Sequence, residues 1–132
     1  MFAHPSESYL ILEGRLAKAN GTAYANADEV ALTNNVTMHL FSRPEYHLSN
    51  QLIEPLNYPG QATTMLGLLK YPDDFSKAQG VNQLWYKDPG TTAAKGDNNG
   101  FAARHAYVII QSQTMKGTFS FRIPLKHIFG FF

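Results

Sequence analysis

The sequence predicts a mainly β fold, a sandwich of the jelly-roll type with a short helical insertion near residues 59–80. Aromatic residues make up 13% of the 132 residues, with nine Phe and seven Tyr, which favours strands with large buried contacts. Hydrophobic residues reach 44% and charged residues only 16%, a balance that excludes a disordered chain. In the segment from Thr118 to Pro124, Phe119, Phe121 and Ile123 alternate with Ser120 and Arg122, as in a strand with one buried face. One domain over residues 1–132 is therefore expected.

Four further segments have the composition of strands. Ser8 to Leu16 is rich in strand formers and precedes an Asn20-Gly21 turn signal. Val36 to Phe41 alternates apolar and polar residues, and Ala106 to Ile110 is a short apolar run.

The fourth segment is a predicted hairpin. Its strands are centred on Tyr46 to Leu48 and on Leu52 to Glu54, with Ser49-Asn50-Gln51 between them. Asn50 suits a left-handed turn position, because asparagine tolerates a positive φ angle.

The insertion begins with a predicted helix from Pro59 to Lys70, which has proline at its first position and a basic residue at its end. Met65, Leu66 and Leu69 would share one face, and we expect them to be buried against a sheet. Asp73 then caps a predicted second, shorter helix that ends near Gly80. Thr91 to Gly100 is expected to be a polar loop.

Charge and composition exclude several classes of function. The net charge of +1 offers no basic excess for a nucleic-acid backbone, and the absence of Cys excludes disulfides, thiolate zinc sites and cysteine nucleophiles. The N-terminal residues lack the pattern of a signal peptide, and no apolar run approaches the roughly 20 residues of a membrane span. We therefore expect an intracellular protein without membrane or nucleic-acid partners, in which the glycosylation patterns at Asn20 and Asn35 are chance matches.

No catalytic, cofactor-binding or metal-binding residues are predicted, and the chain is not expected to be an enzyme. A cupin-like metal enzyme would require two or three of His39, His47 and His105 to converge with a carboxylate, although their spacing gives no helical metal motif. A module that binds a small ligand or a carbohydrate is the other alternative, with Trp85 and Tyr86 as a stacking platform. An exposed Trp85 would favour that alternative, and a buried Trp85 would favour a structural role.

Long stretches of the chain resemble the double jelly-roll-like domain proteins of invertebrate genomes, which are related to the major capsid proteins of polinton-like and adintovirus-like mobile elements. The segments that carry the resemblance are Phe41 to Gln51, Asn57 to Ser76, Leu84 to Asp88, Gly100 to Arg104 and Gly117 to Phe131.

The resemblance implies a structural, capsid-type shell or assembly protein, or a domesticated remnant of one, without cofactors and located in a virion or inside the cell. In that family two eight-stranded jelly rolls form a subunit that assembles into trimers. A chain of 132 residues would then be the front part of the first jelly roll, truncated at its C-terminus. Its partners are expected to be itself or related capsid-type subunits. The predicted self-association residues are the uncharged, apolar Ile128, Phe129, Phe131 and Phe132.

Overall fold

Four strands form two separate two-stranded antiparallel sheets in the described part of the chain. The computed structural model describes residues 4–89, 97–110 and 116–130. The strands are β1 (Tyr9–Arg15), β2 (Glu45–Leu48), β3 (Gln51–Pro55) and β4 (Thr118–Pro124). β1 pairs with β4, and β2 pairs with β3.

Helices outweigh strands among the described residues, at 37% against 20%. The fold therefore mixes helices and strands. The predicted strands are present in part, but the chain is not mainly β. The α-helices are α1 (Val36–His39), α2 (Pro59–Lys70), α3 (Asn99–His105) and α4 (Leu125–Ile128). Short 3-10 helices span Pro5–Glu7, Phe75–Lys77 and Gln79–Gln83, and a π-helix spans Ala106–Ile110.

The β1–β4 pair joins the two ends of the chain. Its register places Leu12 opposite Phe121 and Gly14 opposite Phe119. Phe119 is half-buried and Phe121 and Ile123 are buried, while Ser120 and Arg122 are exposed, which confirms the predicted alternation in β4. The ring of Phe119 lies over Gly14, where a Cβ atom would come within 2.5 Å of it.

The predicted hairpin is confirmed as β2 and β3. Ser49 and Asn50 form its two-residue turn, and both have positive φ angles, at 49° and 63°. A turn with two left-handed residues twists in the same sense as the strands that it connects. Tyr46 anchors the hairpin to the rest of the fold, because its ring lies 5.7 Å from that of Phe129.

Two predicted strands are helical instead. Val36–His39 is α1, and the residues from Val36 to Met38 are all buried, so the apparent alternation does not separate an inner from an outer face. Ala106–Ile110 continues α3 as a π-helix in which Val108 and Ile109 are fully buried. A short apolar run without alternation fits a buried helix as well as a buried strand.

Of the two helices predicted in the insertion, the structure contains the first as predicted but not the second. α2 has the predicted bounds, whereas the predicted second helix consists of two 3-10 helices, and Asp73 caps neither of them. The first part of the predicted polar loop, from Thr91 to residue 96, lies outside the described residues. The predicted polar loop therefore meets the structure only at Asp97 to Gly100, of which Asn99 and Gly100 begin α3.

The core lies between the inner face of β4, the helix α1, the residue after the 3-10 helix Gln79–Gln83, and the end of α4. Its side chains are Val36, Met38, Leu84, Phe121, Ile123, Ile128 and Phe129.

Candidate assembly surface

The inner face of α2 is made of small residues. Gly60 and Gly67 are buried, and a Cβ atom at Gly60 would overlap the His39 ring. At Gly67 it would overlap the indole of Trp85. The helix backbone therefore lies directly on two rings, an approach that only glycine permits.

Asn35 attaches α2 to the core. It is fully buried, with a left-handed φ of 56°, and its amide nitrogen donates to Thr63 Oγ1 at 2.9 Å and to Thr64 Oγ1 at 3.1 Å. Its amide oxygen accepts from Gln83 at 3.3 Å. Because this side chain is enclosed, Asn35 is not accessible for glycosylation in the folded chain, in contrast to the exposed Asn20.

The outer face of α2 carries an apolar stripe, which consists of Ala62, Met65, Leu66 and Leu69. The spacing i, i+3, i+4, i+7 places these four side chains in one row along the helix. Met65 is 63% exposed, Leu66 52% and Leu69 85%, and Leu68 beside the row is also exposed. The prediction that these large residues are buried against a sheet is therefore wrong: glycine and threonine form the buried face.

A second apolar feature is concave. A groove of about 350 Å³, here called the apolar groove, lies between the start of β1, the residues before β2, and α4. Leu10, Phe41, Tyr46 and Leu125 form its walls. Among the described residues that line it, only Glu45 is charged. A hydrogen bond from His47 and the charge of Arg43 hold the pKa of Glu45 below its usual value.

The predicted self-association residues lie partly in the core. Ile128 and Phe129 are 9% and 6% exposed and pack beneath the apolar groove, so their side chains bury against their own chain. Phe131 and Phe132 lie outside the described residues. The sequence pattern identified apolar residues near the groove, whereas the most exposed leucine of the described residues is Leu69 on α2, and β1 and the hairpin also carry exposed apolar side chains.

Trp85 is buried, at 3% exposed, and makes edge-on contacts with Tyr71 and Phe75 at 4.9 and 6.4 Å. It therefore cannot present an open stacking platform with Tyr86. A cleft of about 190 Å³ lies beside these two residues. It is smaller than the roughly 300 Å³ at which small-molecule sites begin.

The three histidines that a metal enzyme would need have separate partners. His39 Nε2 lies 3.2 Å from Thr64 Oγ1, and His47 Nε2 lies 3.1 Å from Glu45. His105 is buried, with its ring nitrogens facing the Val30 and Asn26 carbonyls. A search of the described residues finds no group of three histidine or carboxylate side chains that could hold a metal ion.

The sequence did not predict the buried polar site around Arg104. Arg104 is 3% exposed and donates to the Leu32 carbonyl at 2.8 Å, to the Tyr86 carbonyl, and to Asp88 at 2.7 Å. Burial raises the pKa of Asp88, but hydrogen bonds from Arg104 and Asn98 outweigh burial and leave the pKa below its usual value. The guanidinium connects three segments of the fold, which is a structural role.

Comparisons with protein-family models, with curated proteins and with solved structures find no match to this chain. In the described part of the chain, none of the helices combines the length and the apolar character that a membrane crossing requires.

Proposed function

We propose that this chain is a structural assembly protein of the capsid type, which associates with copies of itself or with related subunits and has no catalytic role. The observation that carries the proposal is the apolar stripe of α2. Large apolar side chains are turned outward on a helix whose inner face is already packed, so the stripe is available to a second surface. Contiguous exposed apolar surface of this kind is typical of protein–protein contacts.

The strands give independent support. Among the described residues β1, β2, β3 and β4 each pair along one edge only, and two-stranded sheets are marginal in isolation. An open strand edge accepts a strand from another chain through backbone hydrogen bonds. The proposal includes the jelly-roll sandwich that the sequence resemblance implies, which would require strands beyond the four described ones.

The test is the mass in solution over a concentration series, measured by light scattering. We expect the mass of the wild-type protein to rise with concentration and the Leu66→Glu/Leu69→Glu variant to remain monomeric. Leu40→Glu/Ile110→Glu is the matched control, because both residues are about half exposed and lie outside α2 and outside the four strands. A wild-type protein that stays monomeric throughout, or equal association of both variants, would overturn the proposal.

A further inference from the structure

We infer that Asn20 is a site of self-modification, at which the folded chain converts its own asparagine to aspartate or isoaspartate without an enzyme. The inference is independent of the proposed self-association. It rests on the pair Asn20-Gly21, on the exposure of the turn that contains this pair, and on two hydrogen bonds that Thr22 donates to the Asn20 side chain.

The reaction needs only water as a co-reactant. The backbone nitrogen of Gly21 attacks Cγ of Asn20, so that an N–Cγ bond forms and the nitrogen gives up its proton to water. The bond from Cγ to Nδ2 then breaks and ammonia leaves, which completes a five-membered succinimide ring. Water opens this ring at one of its two carbonyls, to give aspartate or isoaspartate. The product carries one more negative charge, which lowers the net charge of the chain from +1 to 0.

Gly21 leaves the attacking nitrogen accessible. It has no side chain to shield that nitrogen, and even a Cβ atom there would meet no atom within 4 Å beyond its chain neighbours. All residues from Lys18 to Thr22 are exposed. The Gly21 N–H closes the turn by donating to the Lys18 carbonyl at 2.8 Å. That bond lies in the plane of the peptide, whereas the attack uses electrons above or below the plane, so the hydrogen bond does not block it.

Thr22 supplies the electrostatic part of the site. As the nitrogen attacks, negative charge develops on Oδ1 of Asn20. That oxygen accepts from the Thr22 N–H at 3.1 Å and from Thr22 Oγ1 at 2.7 Å. Donors that are already in place at an oxygen that becomes negative lower the barrier, because little further reorganisation is needed to stabilise the charge.

The chain contains an internal comparison, since Asn99-Gly100 is a second Asn-Gly pair. These two residues begin α3, and Gly100 is buried so close to the Lys87 carbonyl that a Cβ atom would overlap it. The peptide between Asn99 and Gly100 is therefore held by the helix and by packing. Its nitrogen cannot turn toward Cγ of Asn99 unless the first turn of α3 opens, so we expect Asn99 to be protected.

The test is peptide mass spectrometry of the purified protein after incubation at mildly alkaline pH, where the attacking nitrogen loses its proton more readily. Conversion replaces an NH₂ group by a hydroxyl, and the mass shift locates it. In the folded protein we expect Asn20 to react at least about tenfold faster than Asn99, because orientation controls the attack. In urea both pairs should react at similar rates. Equal rates in the folded protein, or a slower reaction of Asn20 in the folded protein than in urea, would overturn the inference.

Thr22→Val tests the electrostatic part separately. It removes the Oγ1 donor but retains the backbone N–H and a similar shape, and we expect it to slow conversion of Asn20 at least about threefold. Thr33→Val is the matched control, because it removes a hydroxyl from an exposed threonine outside the turn and should leave the rate unchanged. Conversion of Thr22→Val at the wild-type rate would contradict the role assigned to Thr22.

Discussion

Gly67 lies against the indole ring of Trp85 so closely that no other residue fits at this position. A Cβ atom there would overlap the indole and would lie 2.8 Å from Cε2 of Tyr71. Trp85 is buried and meets the stacked rings of Tyr71 and Phe75 edge-on. This contact fixes which face of α2 is buried, and therefore which face carries the apolar stripe.

Gly67→Ala should lower the free energy of unfolding. The overlap with Trp85 costs about 1–3 kcal/mol, and the better helix propensity of alanine recovers at most about 1 kcal/mol. Gly60→Ala is the matched comparison, because the ring that it meets belongs to the exposed His39, which can rotate away. Urea denaturation would measure both variants, and a Gly67→Ala protein more stable than the wild type would contradict the packing.

Leu69→Ala should leave the stability of the monomer almost unchanged. Leu69 is 85% exposed, so little buried area is lost, and the change should stay within about 0.5 kcal/mol. Phe121→Ala removes a ring that is 1% exposed and should cost about 3–5 kcal/mol. Thermal melting at dilute concentration would separate the two. A large loss in Leu69→Ala would mean that α2 turns its leucines inward.

The sequence predicts well where one local pattern decides the structure. In β4 the alternation of Phe119, Phe121 and Ile123 with polar residues requires only that one face of a strand be buried. The turn at Ser49-Asn50 depends on backbone angles that these two residues themselves adopt. The bounds of α2 follow from Pro59 and from the residues around Lys70.

Prediction failed where residues far apart in the sequence determine which side chains are buried. One face of α2 carries large apolar residues, and the opposite face carries glycine and threonine. The usual rule for an amphipathic helix predicts that the face with the large apolar residues is buried. Which face is buried depends on the rings of His39 and Trp85, which reach α2 from other parts of the chain. The apolar groove was not predictable either, because its walls come from three separate segments.

Arg104→Lys should destabilise the fold, because the single nitrogen of an ammonium group cannot reach the three acceptors that the separate guanidinium nitrogens serve. Each carbonyl left without a donor, at Leu32 or Tyr86, costs about 1–3 kcal/mol. Arg122→Lys is the control, since Arg122 is exposed over the ring of Tyr9 and should change stability by less than about 0.5 kcal/mol. Equal stability of the two variants in urea would show that the buried guanidinium is dispensable.

His127 should make the fold less stable in mild acid. Burial, with a smaller effect from the charge of Lys126, lowers the pKa of His127 from its ordinary value of 6.5. Its Nδ1 atom is buried and has no hydrogen-bond partner among the described residues, so a proton there would lack an acceptor. The folded state therefore favours the neutral ring. The unfolded chain binds the proton more readily, so the contribution of His127 to stability is complete above pH 6.5 and is lost as the pH falls toward the lowered value.

The measurement is the free energy of unfolding in urea at pH 7.5 and at pH 5.5. Other groups titrate over the same range, so the informative quantity is the difference between wild type and His127→Gln. We expect the fall between the two pH values to be smaller in His127→Gln than in the wild type. His4→Gln tests whether the removal of any histidine has the same effect, since His4 is exposed near the N-terminus. A fall of equal size in wild type and His127→Gln would show that the ring of His127 is already free to bind a proton in the folded chain.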